Sequence, residues 1–244
     1  MKLITINIEG DLHFDSVIPF IKAELPDILC IQEIFKIDLC QLEELGYSCT
    51  FLPMTMKLTR GKYYEWGTAL CSQAKPTKTR TFYYPTPCNE IPVFNHHDIE
   101  NSVLHGVIES CIPIGGDNFR IATTHFTWTP DGAVPSTKQK TDIVTLLAYL
   151  AQLEPHVLCG DFNIPRSCSP LYAELTKHYT DTIPESYVSS LDAKVHRHGK
   201  TLGKERIFNS FMVDYIFTQP PYKATDVRLG FGLSDHAAVV ATIL

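Results

Sequence analysis

The sequence predicts a layered α/β domain built around a mixed β-sheet. Three observations point there: short apolar runs rich in β-branched residues, two longer segments with helical spacing, and long loops rich in Pro, Asn and aromatics between them. The first run, "KLITINI" (2–8), reads as a strand. "FDSVIPFIKAEL" (14–25) follows with helical spacing, and Asp15 or Ser16 is the expected N-cap. "DILCIQE" (27–33) is the second strand and "GTALCS" (67–72) the third, with residues 53–66 read as a loop between them. A further loop over 76–100 leads into "SVLHGVIES" (102–110) and "FRIATTHF" (119–126). "TKQKTDIVTLLAYLAQL" (137–153) puts Ile143, Leu146, Leu147 and Leu150 on one helical face. "HVLCGDF" (156–162) comes next, then a loop over 180–210, then the strands "VDYIFT" (213–218) and "AAVVATIL" (237–244). Loops this long inside a compact domain are usually functional.

At 244 residues the chain is long enough for a sizeable core, and no repeat or low-complexity linker divides it, so one domain over 1–244 is expected. The formal net charge of −6 supplies no global basic field, which counts against nucleic acid unless a local groove is basic. Eight cysteines occur without CxxC pairs or zinc-knuckle spacing. Cys30 and Cys159 lie inside apolar runs, where Cys acts as a small buried hydrophobe. All eight are read as reduced thiols, which with no leader pattern and no membrane-spanning run gives a cytoplasmic expectation.

The chemistry gathers where strands end or begin. Asn7 and Glu9 close the first, Glu33 the second, His125 closes "FRIATTHF", and Asp161 and Asn163 close "HVLCGDFN". Asp214 opens "VDYIFT", while Asp235 and His236 stand just before the last strand. Taken singly, each has a plainer reading as a solvated strand end, a turn or a buried imidazole. Together they would crowd one edge of the sheet, where one strand's end lies beside its neighbour's start. Clustered carboxylates repel unless a cation neutralises them, and hard oxygen donors suit Mg²⁺ or Mn²⁺ better than Zn²⁺. An imidazole beside an acid can stabilise phosphate charge or move a proton. This donor set points to metal-assisted phosphoester hydrolysis.

In order, the short motifs "NIEG", "QE", "TH", "GDFN", "VDY" and "SDH" resemble the endonuclease/exonuclease/phosphatase superfamily, with its deoxyribonuclease-I-like fold, from Asn7 to His236. The resemblance implies a four-layered α/β sandwich: two mixed sheets face to face with helices outside. It implies Glu33 as the main metal ligand, helped by Asn7 and Asp235. Asp161 would orient or deprotonate the attacking water, and Asn163 would hold that water or a phosphate oxygen. His236 would bind the scissile phosphate with Asp214 fixing its tautomer, and His125 would stabilise the phosphate or assist the leaving group. Two departures stand out. Glu9 replaces the shorter Asp of many relatives, leaving its reach to metal open, and Glu100 and Asn101 stand where many members place an Arg.

Resemblance does not choose the phosphoester. "TRGKYYEWGT" (59–68) offers Trp66 for stacking, against a plainer role as a buried packing residue. "KVHRHGKTLGKER" (194–206) offers a basic wall with His196 and Arg197, against an ordinary solvated loop, and Trp128 follows His125 closely enough to line the cleft. Gln139 is similar to a Gln of deadenylase-like members. The expected substrate is a nucleic-acid or nucleotide-type phosphodiester, hydrolysed by a monomer using Mg²⁺ or Mn²⁺. The competing readings are a lipid or small-molecule phosphoesterase of the same fold, for which the aromatic stretch 81–94 is the feature to watch, and an inactive binding module. Retention of Glu33, Asp161, Asp214 and His236 opposes the last.

Overall fold

Residue alternation along two neighbouring strands sets the layering. In β1 (Lys2–Asn7) Leu3 joins the principal core, whereas Ile4 and Ile6 join a second cluster. In β2 (Ile28–Phe35) Ile28 and Cys30 take the first side, Leu29 and Ile31 the second. The second cluster is closed by Val17 and Ile21 of α1 (Phe14–Glu24). The side holding Leu3 and Cys30 faces another sheet. Gln32, fully buried, bonds Thr5 Oγ1 at 3.1 Å and reaches Thr123 Oγ1 of that sheet at 3.4 Å. Asn7 shares the parity of Leu3 and Thr5, which turns it toward the space between the sheets.

The computed structural model describes residues 1–84, 90–130, 132–201 and 205–244. One sheet runs in the order β11 (Ala224–Gly230), β12 (Ala238–Ile243), β1, β2, β4 (Lys62–Ser72), β3 (Ser48–Thr59). The other runs β5 (Lys78–Tyr83), β6 (Gly106–Ile114), β7 (Asp117–His125), β8 (Val157–Asp161), β10 (Asp214–Thr218), β9 (Thr180–Asp181). Each sheet contains one parallel pair, β1–β2 and β7–β8; the other named strands pair antiparallel. A helix crosses over each parallel pair: α1 for the first, and for the second the helix Thr137–Leu150, which buries Ile143, Leu146 and Leu150. Short helices lie at Cys40–Glu43, Ile99–Ser102, Pro170–Thr176 and Glu205–Ser210; the long helix at Thr137–Leu150 is therefore α4 in chain order. The layered α/β sandwich with two mixed sheets is as expected.

Four strands escaped the sequence reading. The segment 53–66 is the heart of the β3–β4 hairpin, paired from Ser48↔Ser72 to Thr59↔Lys62. β3, β5 and β11 are edge strands or largely exposed, so they carry polar residues and lack the apolar run that marks a central strand. β9 is only two residues long. The cap of α1 also differs: His13 occupies the N-cap and makes no side-chain capping bond, so Asp15 and Ser16 lie inside the helix.

The all-thiol expectation is overturned. Cys49 and Cys71 face each other in register across β3 and β4 and form a disulfide. Cys30 and Cys159 are buried and free, as expected, and Cys40, Cys111 and Cys168 are free; Cys88 lies outside the described residues. No described helix is long and apolar enough to cross a membrane.

Candidate active site

The polar strand ends meet at one end of the sandwich, beyond the C-terminal ends of the parallel strands. In open α/β sheets ligands bind at that edge. His125, Asp161 and Asp214 form one register row across β7, β8 and β10: His125 is the parallel partner of Asp161, and Asp214 its antiparallel partner. Gly160 permits this approach. Its φ is 134°, and a Cβ there would lie 1.9 Å from the Thr124 carbonyl oxygen.

Asn7 braces the row against the other sheet. Its Nδ2 donates to Glu33 Oε1 and to Asp161 Oδ2, both at 3.1 Å, while its Oδ1 accepts the Glu9 N–H at 3.1 Å. The expected ligand Asn7 is therefore committed to holding three neighbours. Glu9, Glu33 and Asn163 all have left-handed φ, at 49°, 62° and 51°. Such backbone is costly for non-glycine residues and gathers at functional sites. Asn163 donates its Nδ2 to the Phe126 carbonyl at 2.9 Å, and its backbone N–H to Asp161 Oδ1 at 2.9 Å. Its Oδ1 takes no hydrogen bond from the described residues. That atom can accept from a water, and Nδ2, which bonds only the Phe126 carbonyl among the described residues, keeps a second N–H for a phosphate oxygen.

His236 Nδ1 pairs with Asp214 Oδ2 at 2.7 Å, which also accepts from Ser190 Oγ at 2.6 Å. Burial alone would lower the His236 pKa, but the charges of Asp214 and Asp161 raise it well above the ordinary range. Burial, then the Asp214 charge, raises the Asp161 carboxyl. Glu33 goes the other way: burial would raise it, yet the Lys57 ammonium, His125 and the Asn7 amide leave it lowered. His125 Nε2 lies 3.5 Å from Asp161 Oδ2 and 3.9 Å from Glu33 Oε1.

These residues fit a hard divalent cation. Asp214 Oδ1 is buried with no partner among the described residues, and oxygen dominates the donor set. Donor atoms of Asp161, Asp214 and His236 lie within 4.8 Å of one another, as do those of Glu9, His13 and Asp235. Glu33 belongs to neither trio and stands beside them through Asn7 and His125.

The structure also places the expected substrate residues. Trp66 is buried, with Lys57 Nζ 3.5 Å from its ring centroid and its ring edge-to-face with His125. It forms a wall behind His125, as the packing reading had it, and one face is occupied. Trp128 is exposed beyond His125. Backbone bonds from Asp192 N–H to the Asp235 carbonyl and from Ala237 N–H to the Ser190 carbonyl lay the 190–192 segment along the site. His196 lies within electrostatic reach of Asp235 and His236, and burial comes first in lowering its pKa. Arg197 is exposed and acts electrostatically on Lys57. Residues 202–204 of the basic stretch, residues 85–89 of the aromatic stretch and Asp131 lie outside the described residues. Gln139 is buried and donates to the Thr127 and Asn163 carbonyls, so it supports the loop that carries Asn163. Glu100 and Asn101 sit in α3 (Ile99–Ser102), exposed.

Three participants went unnoticed in the sequence: Lys57, His105 and His13. His105 is buried, its Nδ1 donates to the His125 carbonyl at 2.8 Å, and burial followed by the neighbouring His125 pushes its pKa down to about 3. No spacing rule marks Lys57 or His105, whose partners come from other strands; His13 reaches Glu9 four residues earlier, but its other companion, Asp235, comes from the far end of the chain.

A model of the Endonuclease/Exonuclease/phosphatase family matches residues 4–236. No curated protein matches the chain. Among solved structures it is similar to an endonuclease/exonuclease/phosphatase from Beutenbergia cavernae, at 17% identity and TM-score 0.74, covering 100% of this chain and 71% of that one. It is also similar to D. rerio TDP2 complexed with single strand DNA product, at 14% identity and TM-score 0.71, covering 100% and 98%. A Bacteroides thetaiotaomicron mannosyl-6-phosphatase gives 14% identity and TM-score 0.69, covering 100% and 99%.

Proposed function

The chain belongs to the Endonuclease/Exonuclease/phosphatase family, and from that premise we propose that it is a divalent-metal-dependent phosphodiesterase with a nucleic-acid or nucleotide-type substrate. The observation that carries the reading is the register row. Asp161 stands between His125 and Asp214, with His236 bonded to Asp214 at 2.7 Å, Glu9 and Asp235 gathered in a second trio, and Glu33 joined to Asp161 through Asn7.

Each residue has a role it can fill. Asp161, with its carboxyl raised by burial and by Asp214, is a better base than an exposed Asp and takes the proton of the attacking water. Asn163 Oδ1 accepts that water's second hydrogen. His236 donates Nδ1–H to Asp214, and because Asp214 and Asp161 outweigh burial and raise its pKa, the ring is held as an imidazolium whose Nε2–H is the donor for a non-bridging phosphate oxygen. His125, within 4 Å of both Asp161 and Glu33, contacts the phosphate or the leaving oxygen. Glu33, Asp235 and Glu9 would hold a Mg²⁺ or Mn²⁺ ion, which would supply charge stabilisation to the phosphoryl oxygens.

The substrate preference rests on cations. Lys57 acts electrostatically on Glu33, and Arg197 on Lys57, so positive charge borders the acidic centre despite the acidic total. Trp128 and Tyr63 are exposed aromatics suited to bases. Burial of Trp66 favours the second reading, a small-molecule phosphoesterase, because it removes one stacking platform. The neighbours include a complex with a DNA product and a sugar phosphatase, so they favour neither. One chain supplies every group named, consistent with action as a single-domain monomer. The Cys49–Cys71 bond withdraws the all-thiol ground for a cytoplasmic location and favours an oxidising compartment.

The test is a parallel hydrolysis panel in Mg²⁺ and in Mn²⁺: single- and double-stranded DNA, RNA, an aryl phosphodiester, sphingomyelin and sugar and inositol phosphates. Hydrolysis of the nucleic acids above the rest, abolished by EDTA and by Asp161→Ala, is expected. Preference for a monoester or a lipid would replace the substrate. Silence across the panel with both metals would leave a binding module.

A further inference from the structure

His13 is an imidazole of the acidic end that belongs to neither the expected metal set nor the expected catalytic set, and its surroundings suit an ion. We infer that Glu9, His13 and Asp235 form a divalent-cation site of mixed oxygen and nitrogen donors that favours Mn²⁺ over Mg²⁺. The inference deepens the proposed reaction and rests on it only for the use of the ion in turnover.

Three segments build the site. Glu9 is held by a left-handed turn with Gly10, whose φ is 78°, and Gly10 N–H donates to the Glu33 carbonyl at 2.8 Å. The turn is thus fixed to the strand end that carries Glu33. His13 occupies the N-cap of α1 without capping it, and its ring instead reaches Glu9, with Nε2 3.2 Å from Oε2. An N-cap side chain ordinarily accepts from the first-turn N–H groups. Asp235 arrives from the segment before β12. It is 91% buried by its 9% exposure; Oδ1 accepts from Ser234 Oγ at 3.0 Å, and Oδ2 takes no hydrogen bond from the described residues. One donor atom from each of the three lies within 4.8 Å of the other two.

A simple His13–Glu9 ion pair accounts for the 3.2 Å contact but leaves Asp235 facing Glu9. A carboxylate oxygen of Asp235 lies within 4.8 Å of one of Glu9, close enough for their charges to repel. A cation among the three relieves that repulsion, which one imidazole shared by two carboxylates does not. The side chains of Glu9 and His13 are 28% and 19% exposed, so one side stays open to waters or a substrate oxygen.

Donor chemistry sets the preference. Mg²⁺ demands oxygen ligands and parts reluctantly with its waters. Imidazole suits transition ions rather than Mg²⁺, and Mn²⁺ is the first-row transition ion that shares the carboxylate preference of Mg²⁺. A site of two carboxylates and one imidazole therefore separates Mn²⁺ from Mg²⁺ where an all-carboxylate site would not.

The experiment titrates the full chain, stripped with EDTA, with Mn²⁺ followed by electron paramagnetic resonance, and measures Mg²⁺ by competition. Wild type is expected to bind Mn²⁺ at least about tenfold tighter than Mg²⁺. His13→Ala is expected to lose about tenfold or more of the Mn²⁺ affinity, with Mg²⁺ affinity changing by less than about threefold. The electron spin-echo modulation from directly bound nitrogen should weaken in the same variant. If His13→Ala does not fold by circular dichroism, His13→Gln carries the same comparison. Wild-type Mn²⁺ affinity in the folded variant, or equal losses for both ions, overturns the inference. Hydrolysis with unchanged Mn²⁺ binding in His13→Ala would sink this site and leave the proposed function standing. His13-dependent Mn²⁺ binding with a silent substrate panel would do the reverse.

Discussion

His236 Nδ1 lies 2.7 Å from Asp214 Oδ2, and Ser190 Oγ bonds the same oxygen at 2.6 Å. Two donors on one buried carboxylate oxygen fix its orientation and fix the imidazole tautomer, with Nδ1 as the protonated nitrogen toward Asp214. Asp214→Asn keeps the shape and removes the charge. Burial then lowers the His236 pKa with less opposition. We expect kcat on an aryl phosphodiester to fall by about 10²–10⁴, with KM changing by less than about threefold, and the His236 titration followed by NMR to move down. A variant turning over at the wild-type rate would remove Asp214 from the machinery.

His105 makes acid stability a readout of the wall behind His125. Its folded pKa is about 3, against roughly 6.5 in an unfolded chain. The unfolded state takes the proton first as pH falls. The native state thus keeps its full stability above roughly pH 6.5 and loses it progressively from there down to pH 3. By pH 5 the loss is about 2 kcal/mol. His105→Asn keeps a donor for the His125 carbonyl and lacks the titration. The drop in urea-unfolding free energy from pH 7 to pH 5 should be smaller in this variant by about that amount. An identical drop would mean that His105 is not held neutral.

The Cys49–Cys71 bond lies away from the chemistry. Cys71 pairs with Leu29 of β2 and with Cys49, toward the end of the sheet opposite Glu33. Closing a separation of 22 residues restricts the unfolded chain, an effect of about 3 kcal/mol. The double variant Cys49→Ser, Cys71→Ser should lose about 2–4 kcal/mol of stability while kcat at low temperature stays within about twofold of wild type. Dithiothreitol should lower the wild-type unfolding midpoint and leave that of the double variant unchanged. Equal midpoints with and without reductant would show the bond to be absent in solution.

What the sequence made legible follows from how strands advertise themselves. β1, β2, β7 and β8 are central and buried on both faces, so their apolar runs stand out, and a polar residue at their ends has nowhere to go but the site. That is why Glu33, His125 and Asp161 stood out at strand ends, although each became a site candidate only beside the others. β3 and β5 are edges whose alternation is filled with Lys, Thr and Arg, and their pairing depends on neighbours far along the chain. Cys49 and Cys71 became visible as a pair only once that pairing was known. His13 was hidden for the same reason, since its companion Asp235 arrives from the other end of the chain.

Gly160 offers the sharpest test of the register row. Its φ of 134° is poorly open to other residues, and an added Cβ would sit 1.9 Å from Thr124 O and 3.2 Å from Thr124 N. Thr124 is the parallel partner of Gly160, one step before the His125–Asp161 pair. Gly160→Ala must therefore either push β7 from β8 or rotate the peptide that leads into Asp161. Both widen the 3.5 Å separation of His125 Nε2 from Asp161 Oδ2. We expect a loss of about 3 kcal/mol or more, and at a temperature where the variant remains folded, a kcat below about a tenth of wild type. Gly46→Ala is the control: its φ is 93°, but nothing lies within 4 Å of the added Cβ, so only the backbone cost of about 1 kcal/mol applies. If both variants lost the same stability, close strand approach would not explain Gly160. If Gly160→Ala kept full kcat, Asp161 would not depend on that approach for its aim.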